Sequence, residues 1–187
     1  MEVPKYAPSV AGTELRQVEI LSHVVQLRLR EMAPLQGAER DLVEIQWAWA
    51  IIVTQDCDLE QDFRARRGDV AADKILPNIL LCGAQEAAKA VVPPGREIWK
   101  PIQQNKNERY QFLERVPPEL DAAGEGVPEL LVDFKQYFTL PTDELYRRVA
   151  AGTRRRCRLI NEYLQHFASR FNFYQNRVAL PAEHESL

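Results

Sequence analysis

Asp56, Asp58 and Asp62 surround Cys57 just beyond the most regular apolar stretch of the chain, and they are the first residues whose types and spacing could do chemistry. On extended backbone, residues two apart point to the same side. The Asp56 and Asp58 carboxylates could therefore share a magnesium ion through oxygen ligands. The same acids could equally solvate a turn and accept from free backbone donors. Cys57 lies between two carboxylates, whose negative charge raises a thiol pKa and depletes the thiolate. A packed, inert thiol is the expectation, since an activating imidazole would have to come from distant His23 or His166. Cys57, Cys82 and Cys157 form no C-x-x-C pair, and His23, His166 and His184 show no ligand spacing, so no zinc motif is present.

A second group is cationic. Arg154, Arg155, Arg156 and Arg158 follow Thr153, which reads as the cap of a long helix. Cations in a first turn face the positive end of the helix dipole. Acids elsewhere in the fold, a carboxylate ligand or phosphates should offset them, and phosphate contacts would make binding steeply salt-dependent. Asn105, Asn107, Arg109 and Tyr110 form a polar segment entering a strand, and with Arg170, Asn172 and Tyr174 they could line a pocket.

The elements that must position these groups are legible in the apolar periods. Val25, Leu27 and Leu29 alternate with Gln26, Arg28 and Arg30, the mark of a half-buried strand. Pro34 and Gly37 punctuate a loop. Val43, Ile45, Trp47, Trp49, Ile51 and Val53 all fall on odd positions, while the other face changes from Glu44 and Gln46 to Ala48, Ala50 and Ile52. This predicts a strand, or two joined by a bulge, that starts half exposed and ends buried on both faces. The charged stretch to Asp73 reads as a loop. Strands are expected at 75–81, 110–113 and 130–140, and an Ala-rich helix from Ala84 to Val91, stopped by Pro93 and Pro94. Thr142 should cap a helix carrying Asp143 and Glu144 in its first turn, with Gly152 ending it. In the next helix Ile160, Tyr163, Leu164, Phe167, Phe171 and Tyr174 form one apolar stripe. Residues 1–13 read as a loose arm, and 142–180 as a helical C-terminal part.

The 187 residues, 45% hydrophobic and 27% charged, fit one domain that buries roughly 70% of its unfolded surface. The opening lacks a secretory leader, no apolar run approaches a membrane span, and the three cysteines are read as free thiols; together these place the chain in the cytoplasm. The net charge of −3 conceals eight arginines against three acids within residues 142–180, so a basic stripe could form on one face. Strands first and helices last argue an α+β fold, a strongly bent antiparallel sheet or SH3-like partial barrel with C-terminal helices.

Two family resemblances follow from particular residues. Asp133-Phe134-Lys135 resembles the D-x-K half of the PD-(D/E)-x-K nucleases, whose other acid would then be Glu119 or Asp121. The segment Ala50-Ile51-Ile52-Val53-Thr54, between an early strand with a long loop and later strands with a terminal helix, is similar to the MazF/PemK/Kid small-barrel toxins over about residues 15–140. That resemblance implies an SH3-like barrel and metal-independent ribonuclease chemistry, with Thr54 as the residue carried over. With no complete triad, metal cage or phosphate loop, the expected function is a non-catalytic binding or regulatory module without a cofactor, engaging a protein or a nucleic acid through Arg154, Arg155, Arg156, Arg109, Asn105 and Arg170. A nuclease is the alternative, using magnesium at Asp56 and Asp58 or a toxin-like site at Thr54.

Overall fold

The computed structural model describes residues 4–29, 42–90 and 97–176. The expected loop at Pro34 and Gly37 and the helix stop at Pro93 and Pro94 lie outside those residues. In chain order the elements are β1 (Tyr6–Pro8), β2 (Glu19–Leu29), β3 (Leu42–Ile52), α1 (Asp56–Arg66), β4 (Asn78–Glu86), α2 (Trp99–Gln103), β5 (Tyr110–Leu113), β6 (Leu130–Pro141), α3 (Thr142–Ala151), β7 (Arg154–Leu159) and α4 (Asn161–Gln175). All seven strands join one antiparallel sheet in the order β1-β7-β2-β3-β4-β6-β5. The sheet is open but strongly bent, giving an α+β fold. Its two edges approach at one corner, where Tyr6 Oη donates to the Glu114 carbonyl at 3.2 Å and Lys5 pairs with the Glu114 carboxylate at 2.7 Å.

β3 follows its sequence pattern closely. Its residues pass from exposed and half-buried at Leu42–Ala48 to fully covered at Trp49–Ile52. At the covered end, odd and even positions enter different cores. Trp49 and Ile51 join Ile20, Val132 and Phe134 under the α4 residues Phe167 and Phe171. Ala50 and Ile52 join Leu21, Leu81 and Phe138 under Leu59 of α1 and Leu145 of α3. The single odd face expected for the whole segment does not hold, because Trp47 packs with the second cluster rather than with Trp49. Beside it in β2, regular pairing is interrupted at His23, which adopts φ +58°. Trp47 stacks on Phe138 at 4.8 Å, over Gly83, where a Cβ would sit 2.3 Å from the indole Cζ3. Only glycine leaves room for that ring.

A second irregularity lies in β6. The register with β4 runs from Cys82↔Tyr137 to Ala84↔Val132, so two steps along β4 meet five along β6 and three residues are extra. An odd excess exchanges the faces, which is why Phe134 enters the first core and Phe138 the second.

Four segments depart from expectation. The charged stretch after Thr54 contains a helix, α1, whose buried positions Leu59, Asp62 and Ala65 recur every three residues. The period is present, but its middle member is an aspartate, bonded to Arg66 Nε and the Leu76 amide at 2.8 Å each. Residues 84–86, expected in an Ala-rich helix, instead extend β4, which starts at Asn78 rather than Ile75 and pairs with both β3 and β6; pairing on two sides overrides alanine's helix propensity. The arginine run is strand β7, not a helix start, and lies between β1 and β2. Its Thr153 caps no helix and donates its hydroxyl to the His23 carbonyl at 3.0 Å. The expected N-terminal arm also contributes β1, with Tyr6 buried.

α3 starts and ends where expected, with Asp143 and Glu144 in its first turn and Gly152 after its last. Thr142, however, makes no capping bond, and its buried Oγ1 has no partner. Among the described residues, no helix is long and apolar enough to cross a membrane.

Candidate functional site

Of the three acids singled out around Cys57, Asp56 and Asp62 are already engaged, while Asp58 is exposed. Asp56 Oδ1 accepts from Arg16 Nε at 3.0 Å and from the Gln17 amide at 2.6 Å, while Oδ2 accepts from Arg16 Nη2 at 2.8 Å. This fork joins the first turn of α1 to the segment entering β2. Asp58 stands in the same turn. Among the described residues no three His, Cys, Asp or Glu side chains are grouped so as to hold a metal. Thr54 Oγ1 accepts from the Leu80 amide at 2.8 Å, closing the end of β3 onto β4. Asp133 is held by the Arg109 fork at 2.8 and 2.6 Å, and Asp121 by Arg156, whereas Lys135 is exposed.

Cys57 corrects another expectation, being exposed where a packed thiol was predicted. Cys82 and Cys157 are buried, and burial pushes the Cys157 thiol up to about 12 and raises that of Cys82 as well. Because the thiolate is the reactive species, a thiol-disulfide reagent should label one cysteine rapidly in the native protein and all three in denaturant. Rapid native labelling of two or three would contradict this packing.

Asn105, Arg109 and Arg170 do meet, around β5. Asn105 accepts from the Phe112 amide at 2.7 Å and donates to the Phe112 carbonyl at 3.1 Å, standing in for a neighbouring strand. Arg170, on α4, donates to Gln111 Oε1 at 2.6 Å, to the Tyr110 carbonyl at 3.1 Å and to the Asn107 carbonyl. These bonds satisfy a sheet edge. Asp56 and Asp58 belong to a different cluster.

The three consecutive arginines of β7 differ in burial rather than by simple alternation. Arg156 points inward and is nearly sealed, forked onto Asp121 at 2.9 and 2.7 Å, with a further bond to the Gly126 carbonyl at 2.8 Å. Arg155 is also largely buried: it forks onto Glu19 at 2.6 and 3.0 Å and donates to the Thr13 and Glu14 carbonyls, pinning the N-terminal segment to the sheet. Arg154 alone of the three reaches solvent, with about half its side chain exposed and a 2.8 Å bond to equally exposed Glu125. Exposed pairs of this sort contribute little and exchange readily.

Arg154 stands between two cavities. One, of about 640 Å³, lies between the base of the β2–β3 ribbon and the corner where α3 turns into β7. His23, Val25, Gln46, Trp47 and Ala48 form one wall; Arg148, Ala151, Gly152, Thr153 and Arg154 form the other. Among the described residues the lining therefore holds two arginines and a histidine but no carboxylate. Behind it Glu144 serves both Arg147 and Arg148 at 2.6 Å, so one acid faces two cations. The second cavity, about 790 Å³, lies on the other side of Arg154 and is mostly apolar. Sequence reasoning found Arg154 but missed His23 and Arg148, which stand far apart in the chain and share no periodic pattern.

Fold and site together define an open-sheet α+β protein in which Asp56, Asp62, Asp121 and Asp133 are held by arginines, Asp58 is exposed, and a basic cleft faces solvent. No family model, no curated protein and no solved structure matches the chain.

Proposed function

We propose that this chain is a cytoplasmic, non-catalytic binding module that takes an acidic segment of a partner protein into the cleft lined by His23, Arg148 and Arg154. The observation that carries this reading is a lining whose described residues include three basic groups and no carboxylate, in a chain of net charge −3. Planar guanidinium groups suit carboxylates, which they bind through paired hydrogen bonds. The overall acidity disfavours nucleic acid, whose binding domains are as a rule strongly basic. Three unpaired thiols support a reducing compartment. The saturation of Asp56, Asp121 and Asp133 by arginines supports a role without acid-base chemistry.

A fluorescently labelled hexaglutamate peptide should bind with an affinity that falls as salt rises, and Arg148→Ala with Arg154→Ala should weaken it by about tenfold or more, since each charged hydrogen bond is worth about 1.5–3 kcal/mol. Equal binding by the double variant would remove the cleft from the reading. Tighter binding of oligothymidylate than of the peptide would make nucleic acid the partner. Magnesium-dependent cleavage of RNA or DNA, lost in Asp56→Ala, would replace binding by catalysis.

A further inference from the structure

We infer that the second cavity, framed by the N-terminal segment, α1 and α3, is a separate binding site for a small amphipathic acid, an apolar body carrying a carboxylate or sulfonate. Its volume of about 790 Å³ falls within the roughly 300–1,000 Å³ of small-molecule sites. Leu15, Phe63 and Val149 supply apolar wall, and the small side chains Ala122, Ala123 and Ala150 leave the space open.

One polar group in the wall is unspent and a second is only loosely engaged. Ser9 is only 9% exposed, lines the cavity, and its Oγ has no hydrogen-bond partner. A buried hydroxyl without a partner is costly and is ordinarily matched by water or ligand. Tyr146 Oη lies against the Leu15 backbone without a hydrogen bond of normal geometry; burial, reinforced by Asp62, outweighs that contact and pushes its pKa up to about 12, so it stays protonated. Arg154 stands at the rim, held only by the solvent-exposed Glu125 carboxylate, which an incoming acid can replace.

The frame is rigid before any ligand arrives. The buried Arg155–Glu19 pair, with bonds from Arg155 to the Thr13 and Glu14 carbonyls, fixes the N-terminal wall. On the opposite side Arg66 lies over the Tyr146 ring at 5.3 Å, joining α1 to α3. Preorganisation of this kind lowers the cost of binding. The site needs nothing from the acidic-segment cleft except the shared Arg154.

The test uses anilinonaphthalene sulfonate, which combines an apolar body with a fixed anion, on the full chain. Its fluorescence should rise and shift to the blue in one saturable step. Ala150→Trp places an indole in the mouth from an exposed position of α3 and should weaken the probe by at least about tenfold. Arg154→Ala should weaken it by about tenfold through loss of the anion's partner. Ala150→Trp should leave hexaglutamate binding unchanged, because Ala150 lines this cavity and not the cleft, which keeps the two sites distinct although they share Arg154. Absence of saturable binding, an Ala150→Trp protein that binds the probe equally well, or one that binds hexaglutamate at least about tenfold more weakly would overturn the separate site; an unchanged Arg154→Ala affinity would overturn the acid.

Discussion

Arg156→Ala is expected to cost about 3–5 kcal/mol, the loss typical of removing one partner from a buried ion pair. The Arg156 side chain is 3% exposed and that of Asp121 is 0% exposed, so no water replaces the missing fork. The guanidinium also lies over the Trp49 ring at 5.2 Å and bonds to the Gly126 carbonyl, so its removal unties the loop before β6 from the sheet. Urea unfolding of Arg156→Ala, Asp121→Ala and the double variant measures this. The double variant should lose less than the sum of the singles, because the second change removes a charge that the first had left unpaired. Strict additivity, or a single-variant loss under about 1 kcal/mol, would mean that the pair does not hold the fold.

The same pair fixes a pH dependence. Burial raises the Asp121 pKa, but the Arg156 fork and the Ala123 and Glu125 amides outweigh it and hold the carboxyl below its ordinary 3.8. A depressed acid stabilises the fold above its unfolded pKa, and that contribution is lost as pH falls through the folded value. Wild-type stability should therefore drop below about pH 3.8, and Asp121→Ala should lack that part of the drop.

How far the fold was legible depended on whether burial and apolarity coincide. In β3 they do, and both its extended form and its passage from half-exposed to covered follow from the side-chain types. In β7 they do not. Its inward positions include Arg156, and its neighbour Arg155 is nearly as well covered, so the run reads as solvated charge although it lies inside the sheet. α1 fails for a related reason, because Asp62 occupies the centre of its buried stripe. In β7 each charged residue is buried against a partner far away in sequence, Asp121 for Arg156 and Glu19 for Arg155, and local pattern cannot foresee the pairing; in α1 Asp62 is met by Arg66 one turn on and by the Leu76 amide. The same limit governs the site. Arg154 stood out as part of a run, whereas the cleft sets His23, at an irregular point of β2, opposite the end of α3, a meeting of segments far apart in the chain.

Phe134→Ala carries the other large expected effect, a loss of about 3–5 kcal/mol on the scale of buried phenylalanine truncations. The ring is fully buried and is met edge-on by Phe167 at 5.5 Å and Phe171 at 5.6 Å, with Tyr174 tilted against it at 5.9 Å. All three partners lie on α4, whose apolar stripe finds its central contact in this one side chain. Phe134 reaches them from the irregular part of β6, where three extra residues turn it to the α4 side and its amide bonds to the Arg109 carbonyl at 3.0 Å. For a chain of this length the expected loss corresponds to a Tm lower by roughly 6–20 °C. Hydrogen exchange should show α4 losing protection ahead of α3, which packs on the opposite face of the sheet through Leu145. Phe134→Leu should recover part of the loss by refilling the volume. If α4 keeps its protection in Phe134→Ala, the helix is held by something other than this ring, and the β6 irregularity has no role in anchoring it.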